Sequence, residues 1–283
     1  MWKVLLLAVG VAVGLGAATV WLANLRFDHA ADARIREMLA NAAAADQVVT
    51  EASLEPLPEP VQRWLRSAGV VGRQVPATVR LRQEGAIRQA PDAPWMRFSA
   101  DQYYTIDPTS FIWRVSATAS PGFFIRGVDE LRDGRGAMRM VVLGLFTVVN
   151  ASGADMDQGA ALRYLQEIVW FPFAALARNI SWEAVDENSA RATLTVGEGS
   201  VDGLFTFASD GRVVGFKATR YRSEQPASVL RTWRVPLRDH AAFDGVLVPT
   251  SGEATWDLDG GTFTYITAKI VELDYDVPRI FGR

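Results

Sequence analysis

The 283-residue chain contains no cysteine. Disulfides, thiolate nucleophiles, cysteine zinc sites and iron–sulfur clusters are therefore excluded. So is the lipidated cysteine on which a bacterial lipoprotein depends. Histidine is almost missing: His29 and His240 are the only two, too few for a three-histidine metal centre. No metal and no cofactor is expected. His240, in RDHAAFDG, reads as a surface or capping residue near a turn. Lysine occurs only as Lys3, Lys217 and Lys269; arginine supplies the remaining positive charge, which reads as coding bias rather than as a phosphate site. Net charge is −3, so no basic field invites nucleic acid, and none is expected as a partner. A G-x-S-x-G elbow, a phosphate-binding loop and a dinucleotide fingerprint are also missing.

What the chain does have is one long uncharged run, Val4 to Ala23, VLLLAVGVAVGLGAATVWLA. At ~1.5 Å rise per residue it spans the ~30 Å hydrocarbon core of a bilayer. A cleaved signal peptide competes with this reading, and Gly16-Ala17-Ala18 offers it a cleavage site. Its apolar core stops at ~7–15 residues, however, and here the run continues through Val20, Trp21 and Leu22. A retained anchor is expected over residues 1–27, with Trp21 at the interface. Lys3 on the short side places the amino end in the cytoplasm. The bulk of the chain then lies outside the inner membrane, as a single-pass protein. Residues 28–54 read as an alanine-rich helix or stalk.

From residue 55 the domain proper begins. The break EPLPEP leads into a short helix from Pro60 to Ala68, where Val61, Trp64, Leu65 and Ala68 form one apolar stripe. Pro60 suits its first turn and Gly69 its end. From about Thr78 the period changes to two. Phe98 and Ala100 alternate with Arg97, Ser99 and Asp101; Phe111, Trp113, Val115 and Ala117 with Arg114, Ser116 and Thr118; Ala254 and Trp256 with Glu253, Thr255 and Asp257. One apolar and one wet face is the antiparallel pattern. Asp-Gly pairs at 133–134, 202–203, 210–211, 244–245 and 259–260 read as hairpin turns. Roughly ten to twelve strands are expected, interrupted once, at about 157–178. The predicted class is α+β: a large curved antiparallel sheet, or half-barrel, covered by a few helices, with an N-terminal transmembrane helix.

The interruption carries Arg163-Tyr-Leu-Gln-Glu-Ile-Val-Trp-Phe-Pro172. At about 100° per residue, Tyr164, Leu165, Ile168, Val169 and Phe171 share one arc, while Arg163, Gln166 and Glu167 share the other with Trp170. The preferred reading is an amphipathic helix with a surface Arg163–Glu167 pair, worth only ~0.3–0.5 kcal/mol. The functional reading has the Arg163, Glu167 and Trp170 edge lining a cavity. In the strand Arg212 to Arg222, Val214, Phe216 and Ala218 form an apolar face that Arg220 and Arg222 extend. Those two arginines mark either a cavity mouth for an acidic group or a strand leaving the core. The pairs Asp129–Glu130 and Asp155–Asp157 read as turn-like polar segments, the latter as a helix cap; neither reads as a tuned acid–base pair.

The order of LPEPVQRWLRSAG, RYLQEIVWFP, SDGRVVGFKATRYR and a late strand with Trp256 and Tyr265 resembles an uncharacterised bacterial family of membrane-anchored proteins, a domain of unknown function. The resemblance spans roughly residues 55–270 and implies no particular activity. The architecture is similar to the lipoprotein-carrier half-barrels of the LolA/LolB/LppX type, which implies a lipid or acyl-chain ligand by analogy. The resulting expectation is a membrane-anchored envelope (periplasmic) protein that binds an apolar ligand such as a lipid or acyl chain. Arg163, Glu167, Trp170, Arg220 and Arg222 are its expected ligand-binding residues. The alternatives are an envelope hydrolase using Glu167 as general base and a non-catalytic scaffold subunit. The expectation leans away from an enzyme.

Overall fold

A computed structural model describes residues 2–43, 46–120, 122–224 and 227–282; the other positions, among them Ala44 and Ala45 of the expected stalk, lie outside the described residues. Helix α1 (Trp2–Ala40) runs unbroken through the apolar run into the alanine-rich segment. Its first half is exposed, and it is long and apolar enough to cross a membrane. In its second half Asp28, Asp32, Ile35 and Leu39, at helical spacing, are buried against the sheet. Ion pairs fix it there: Asp28 to Arg126 at 2.9 Å, and Asp32 to Arg114. Two short helices follow, α2 (Glu51–Leu54) and α3 (Glu59–Ala68). Gly69 ends α3 at φ 74, as its position predicts.

Among the described residues the strands form one antiparallel sheet of thirteen in the order β6-β5-β4-β3-β2-β1-β13-β12-β11-β10-β9-β8-β7. The first arm is β1 (Thr78–Ile87), β2 (Met96–Thr105), β3 (Ser110–Ser120), β4 (Phe123–Arg132), β5 (Arg135–Val142) and β6 (Phe146–Ser152). The second arm is β7 (Ile180–Asp186), β8 (Ser189–Val196), β9 (Gly199–Phe207), β10 (Val213–Glu224), β11 (Ala227–Phe243), β12 (Val246–Leu258) and β13 (Gly261–Tyr275). Each arm is a run of hairpins, and β13 joins the arms by pairing with β1, from Val79 opposite Tyr275 to Ile87 opposite Ile266. Strands β6 and β7 are therefore opposite edges, and the chain must cross the whole sheet between them.

That crossing is helix α4 (Ala154–Glu167) and two 3-10 turns, Ile168–Trp170 and Pro172–Leu176. The Asp157 carboxylate accepts the Gly136 N–H of β5 at 2.7 Å. Gln158 donates to the Thr219 carbonyl of β10 at 3.1 Å and accepts the Tyr221 N–H at 3.2 Å, taking the place of a paired strand. Since β5 and β10 lie toward opposite ends of the strand order, one helix reaches both only because the sheet curls around it. The half-barrel is thus closed by its own crossover. The helix is buried nearly all round, including Ala160, Ala161, Leu162, Tyr164 and Leu165. Tyr104, Tyr164 and Phe171 pack against each other with centroids 4.6–6.3 Å apart. At the neighbouring end of the core, Trp64 of α3 meets Trp182, Phe205 and Phe207 at 5.8–6.1 Å. Removing a side chain so enclosed costs about 3–5 kcal/mol.

Several expectations need correction. The sheet has thirteen strands, more than the turn signals indicated. Asp133 and Gly134 do form a tight turn, at φ 52 and 73, but Asp202 and Gly203 lie inside β9. Gly203 is there because the Phe216 ring occupies the space a side chain would need, 2.1 Å from a Cβ. The register of β9 against β10 shifts between Val213 and Gly215, so Val213, and not Val214, enters the core. Asp129 and Glu130 are not in a turn: both are buried on β4. Asp157 caps β5 rather than its own helix, whose N-cap is Gly153. His240 lies within β11, half-buried and bonded to the Val213 carbonyl.

Candidate ligand cavity

Beneath the C-terminal end of α4 the sheet lines an open-mouthed cavity of about 370 Å³. Its lining includes all five residues singled out in the sequence: Arg163, Glu167, Trp170, Arg220 and Arg222. Trp113, Trp233, Trp256, Leu237 and Ile266 supply apolar walls. A larger cleft of about 750 Å³ lies elsewhere, between the turns that follow β2, β4 and β8. Its charged residues, Asp46, Asp107, Asp133 and Arg178, are all exposed, and none of the expected site residues reaches it. We therefore take the smaller, tryptophan-lined cavity as the candidate.

The floor of the cavity is a buried polar network. Arg163 donates through Nε to Glu167 Oε1 at 2.8 Å, through Nη1 to Asp129 Oδ2 at 2.6 Å and through Nη2 to Gln102 Oε1 at 3.1 Å. Glu167 Oε2 accepts from Gln102 Nε2 at 2.7 Å and from the Tyr104 hydroxyl at 3.0 Å. The side chains of Arg163 and Glu167 are only 15% and 5% exposed. The surface-pair reading is thereby overturned: this arc of α4 faces the inside of the half-barrel, because the sheet wraps both sides of the helix. Burial works to lower the Arg163 pKa, but the carboxylates of Glu167 and Asp129 outweigh it and hold the guanidinium above its ordinary value. For Glu167 burial is the largest influence and raises its pKa; Arg163 and the three hydrogen bonds pull it back only in part. Tyr104 is likewise pushed up by burial, and the neighbouring Glu167 charge adds to it.

Trp170, just past α4, donates its indole N–H to the Pro249 carbonyl at 3.1 Å, and its own carbonyl accepts from Tyr275 at 2.8 Å. Both bonds hold the ring as a wall. Arg220 is placed differently. Its guanidinium carbon lies 4.7 Å from the Trp233 ring centre and 5.9 Å from that of Trp256. Tyr265 is at 3.5 Å, the limit of a hydrogen bond, and Nε is buried without an acceptor. No carboxylate pairs with Arg220 among the described residues. Gly159 leaves the room it needs, since a Cβ there would stand 3.3 Å from the guanidinium. Arg222, at the mouth, pairs with Glu224 at 2.7 Å, which Arg231 shares.

Gln102, Tyr104 and Asp129 complete the network and were not among the expected residues. A signal was available. Gln102 falls at the same strand parity as Phe98, Ala100 and Tyr104, and Asp129 at that of Leu131, so each is a polar residue at an inward position. Among the described residues no three His, Asp or Glu side chains converge as a metal ion requires.

The model of a family of unknown function, DUF6544, matches residues 47–268. No curated protein sequence matches the chain. Among solved structures, a DUF1329 family protein from Desulfovibrio piger aligns at 12% identity over 78% of this chain and 94% of its own, with a TM-score of 0.45. A LolA superfamily protein from Nitrosomonas europaea aligns at 10% identity over 83% and 94%, with a TM-score of 0.42. Likenesses this distant carry no functional weight.

Proposed function

The chain belongs to the DUF6544 family, and we propose that it is a membrane-anchored envelope protein whose half-barrel holds an apolar molecule with an anionic group, such as a lipid or acyl chain. One observation carries this reading: a tryptophan-lined cavity of about 370 Å³ in which Arg220 meets aromatic faces and, among the described residues, no carboxylate. The volume falls within the ~300–1,000 Å³ typical of small-molecule sites. A partly buried guanidinium without an anion forgoes charge-assisted hydrogen bonds. An acidic head at Arg220, with its chain along Trp233, Trp256 and Leu237, supplies them. The uncharged run Val4 to Ala23 of α1 is the anchor in this reading, and the sheet lies outside the inner membrane.

The hydrolase reading asks Glu167 to act as general base. Its raised pKa suits that role, but three donors already hold the carboxylate. A group so engaged suits an anchor of α4 better than a base. The scaffold reading calls for a solid core with an exposed apolar patch; the cavity speaks against the first, and exposed Phe146 and Phe123 fit the second.

Native mass spectrometry of the detergent-purified full chain, followed by lipid extraction, tests the proposal. The expected result is a co-purified anionic amphiphile, displaced by added fatty acid. No recovered lipid, together with no thermal stabilisation by fatty acid or phospholipid, overturns it.

A further inference from the structure

We propose that the turns at one end of the first arm dip into the surface of the lipid bilayer that α1 crosses, and that the candidate cavity lies toward this membrane-facing end. The inference rests on α1 spanning the bilayer, but not on the identity or presence of a cavity ligand. The uncharged run of α1 ends at Ala23. The next residue, Asn24, is buried; its amide donates to the Val20 carbonyl at 2.7 Å and to the Leu143 carbonyl at 3.0 Å. Gly144 lies so close that a Cβ would stand 2.7 Å from the Asn24 nitrogen. The β5–β6 turn therefore touches α1 at the level where an apolar run of ~30 Å leaves the hydrocarbon.

The side chains around that turn are apolar and open to solvent. Phe146 is 64% exposed, and Leu145 and Val148 are exposed beside it. Phe123, the first residue of β4 after the β3–β4 turn, is 55% exposed. Trp95, from the β1–β2 connection, is also exposed, with Arg88 over its ring at 4.5 Å. Exposed hydrophobic residues scattered singly mean nothing. These stand at all three hairpin connections at one end of the arm. At the other end, its connections carry Asp107 and Asp133, both exposed; this end carries one exposed carboxylate in its described connections, Asp92, three residues before Trp95. Aromatic rings and arginine at one level are what a bilayer interface accommodates. The second arm at the same end carries paired charges, Arg231 with Glu224 and Asp259, which suits headgroups rather than hydrocarbon. The registers of β10–β11, β12–β13, β13–β1 and β1–β2 trace the same end across the sheet. There the cavity takes Ile87, the last residue of β1, and Met140 and Arg222, near the ends of β5 and β10. A molecule leaving the leaflet would have a short path to it.

The lack of cysteine makes a clean test. Phe146→Cys and Phe123→Cys are labelled with an environment-sensitive fluorophore in the full chain and reconstituted into vesicles containing a nitroxide-labelled phospholipid. Val13→Cys in α1 reports insertion. Val185→Cys, exposed in β7 at the far end of the sheet, reports the background. All four side chains are exposed, so the substitutions spare the core. The expected result is lipid quenching at positions 123 and 146 several-fold above that at 185, with blue-shifted emission. Quenching at 13 but only background at 123 and 146 overturns the inference and leaves the anchor standing. A blue shift at 146 without lipid quenching means that protein covers the patch, and also overturns it. Background at all four positions removes both the inference and the anchor.

Discussion

Two inward arginines, Arg163 and Arg220, line the same cavity and have opposite surroundings. Arg163, at the floor, is held by two carboxylates and an amide oxygen, all within 3.1 Å. Arg220, on the wall, has a tryptophan face at 4.7 Å and a tyrosine hydroxyl at 3.5 Å. Both are cations taken largely out of water, and such a charge is costly unless paired and bonded. At Arg163 the protein supplies the anions from its own strands. At Arg220 it supplies aromatic surface, which offsets roughly 0.5–2 kcal/mol, and one hydroxyl at the limit of hydrogen bonding. At Arg163 the cation is paired without a ligand, with Asp129 Oδ1 the acceptor left over; at Arg220 the guanidinium itself has donors to spare.

The comparison breaks most sharply at Arg163. Arg163→Met leaves Asp129 and Glu167 buried together without a cation, a loss of about 3–5 kcal/mol by analogy with other broken buried pairs. For a domain of this size that is a fall in melting temperature on the order of 10 °C, readable by calorimetry or circular dichroism. Adding Asp129→Asn and Glu167→Gln to Arg163→Met removes the stranded charges and should restore much of the loss. If the single variant unfolds no earlier than wild type, the network is not what holds α4 inside the sheet.

The surroundings of Arg163 also explain which parts were legible in sequence. Strand parity was readable for β2, β3 and β12 because one face is apolar and the other polar. The half-barrel followed from many antiparallel strands and one inserted helix. The polar arc of α4 was misread because Arg163, Gln166 and Glu167 look like a solvent face when their partners are unknown. Those partners, Gln102 and Asp129, sit on strands far away in the chain, and only the curl of the sheet brings them together. The bulge that sends Val213 inward has no mark in the local pattern. Gly203 looked like a turn because Asp-Gly usually is one; its true cause, the Phe216 ring, belongs to the next strand. The five expected residues did come together around one cavity, but for two different reasons, which sequence alone did not separate.

A smaller effect sharpens the floor of the cavity. Burial raises the Glu167 pKa against the pull of Arg163. The folded chain therefore holds this proton more tightly than the unfolded chain. Stability from that proton is fully present below the ordinary glutamate value, about 4.3, and is lost as pH rises through the higher folded value. Glu167→Gln lacks the titration. In urea unfolding from about pH 4 to about pH 7, the difference between wild type and Glu167→Gln should drift in the variant's favour as pH rises. A drift in the opposite direction would mean that the Arg163 charge outweighs burial and that Glu167 behaves as an ordinary ion-paired carboxylate.

The smallest expected change in stability belongs to Arg220, and it tells most about function. Arg220→Gln gives up the contact with Trp233 but also relieves a cation that no carboxylate neutralises. The two effects oppose each other, so folding stability should stay within about 1 kcal/mol of wild type. Binding should not be spared. A charge-assisted hydrogen bond contributes about 1.5–3 kcal/mol, so affinity for an anionic amphiphile should fall roughly ten- to hundredfold. A neutral amphiphile with the same chain should bind both proteins alike, because the tryptophan walls are untouched. Titration of the full chain in detergent with a fatty acid and with the matching alcohol measures both arms. If Arg220→Gln instead unfolds the protein as Arg163→Met does, the two arginines are alike, and the wall is structure rather than site.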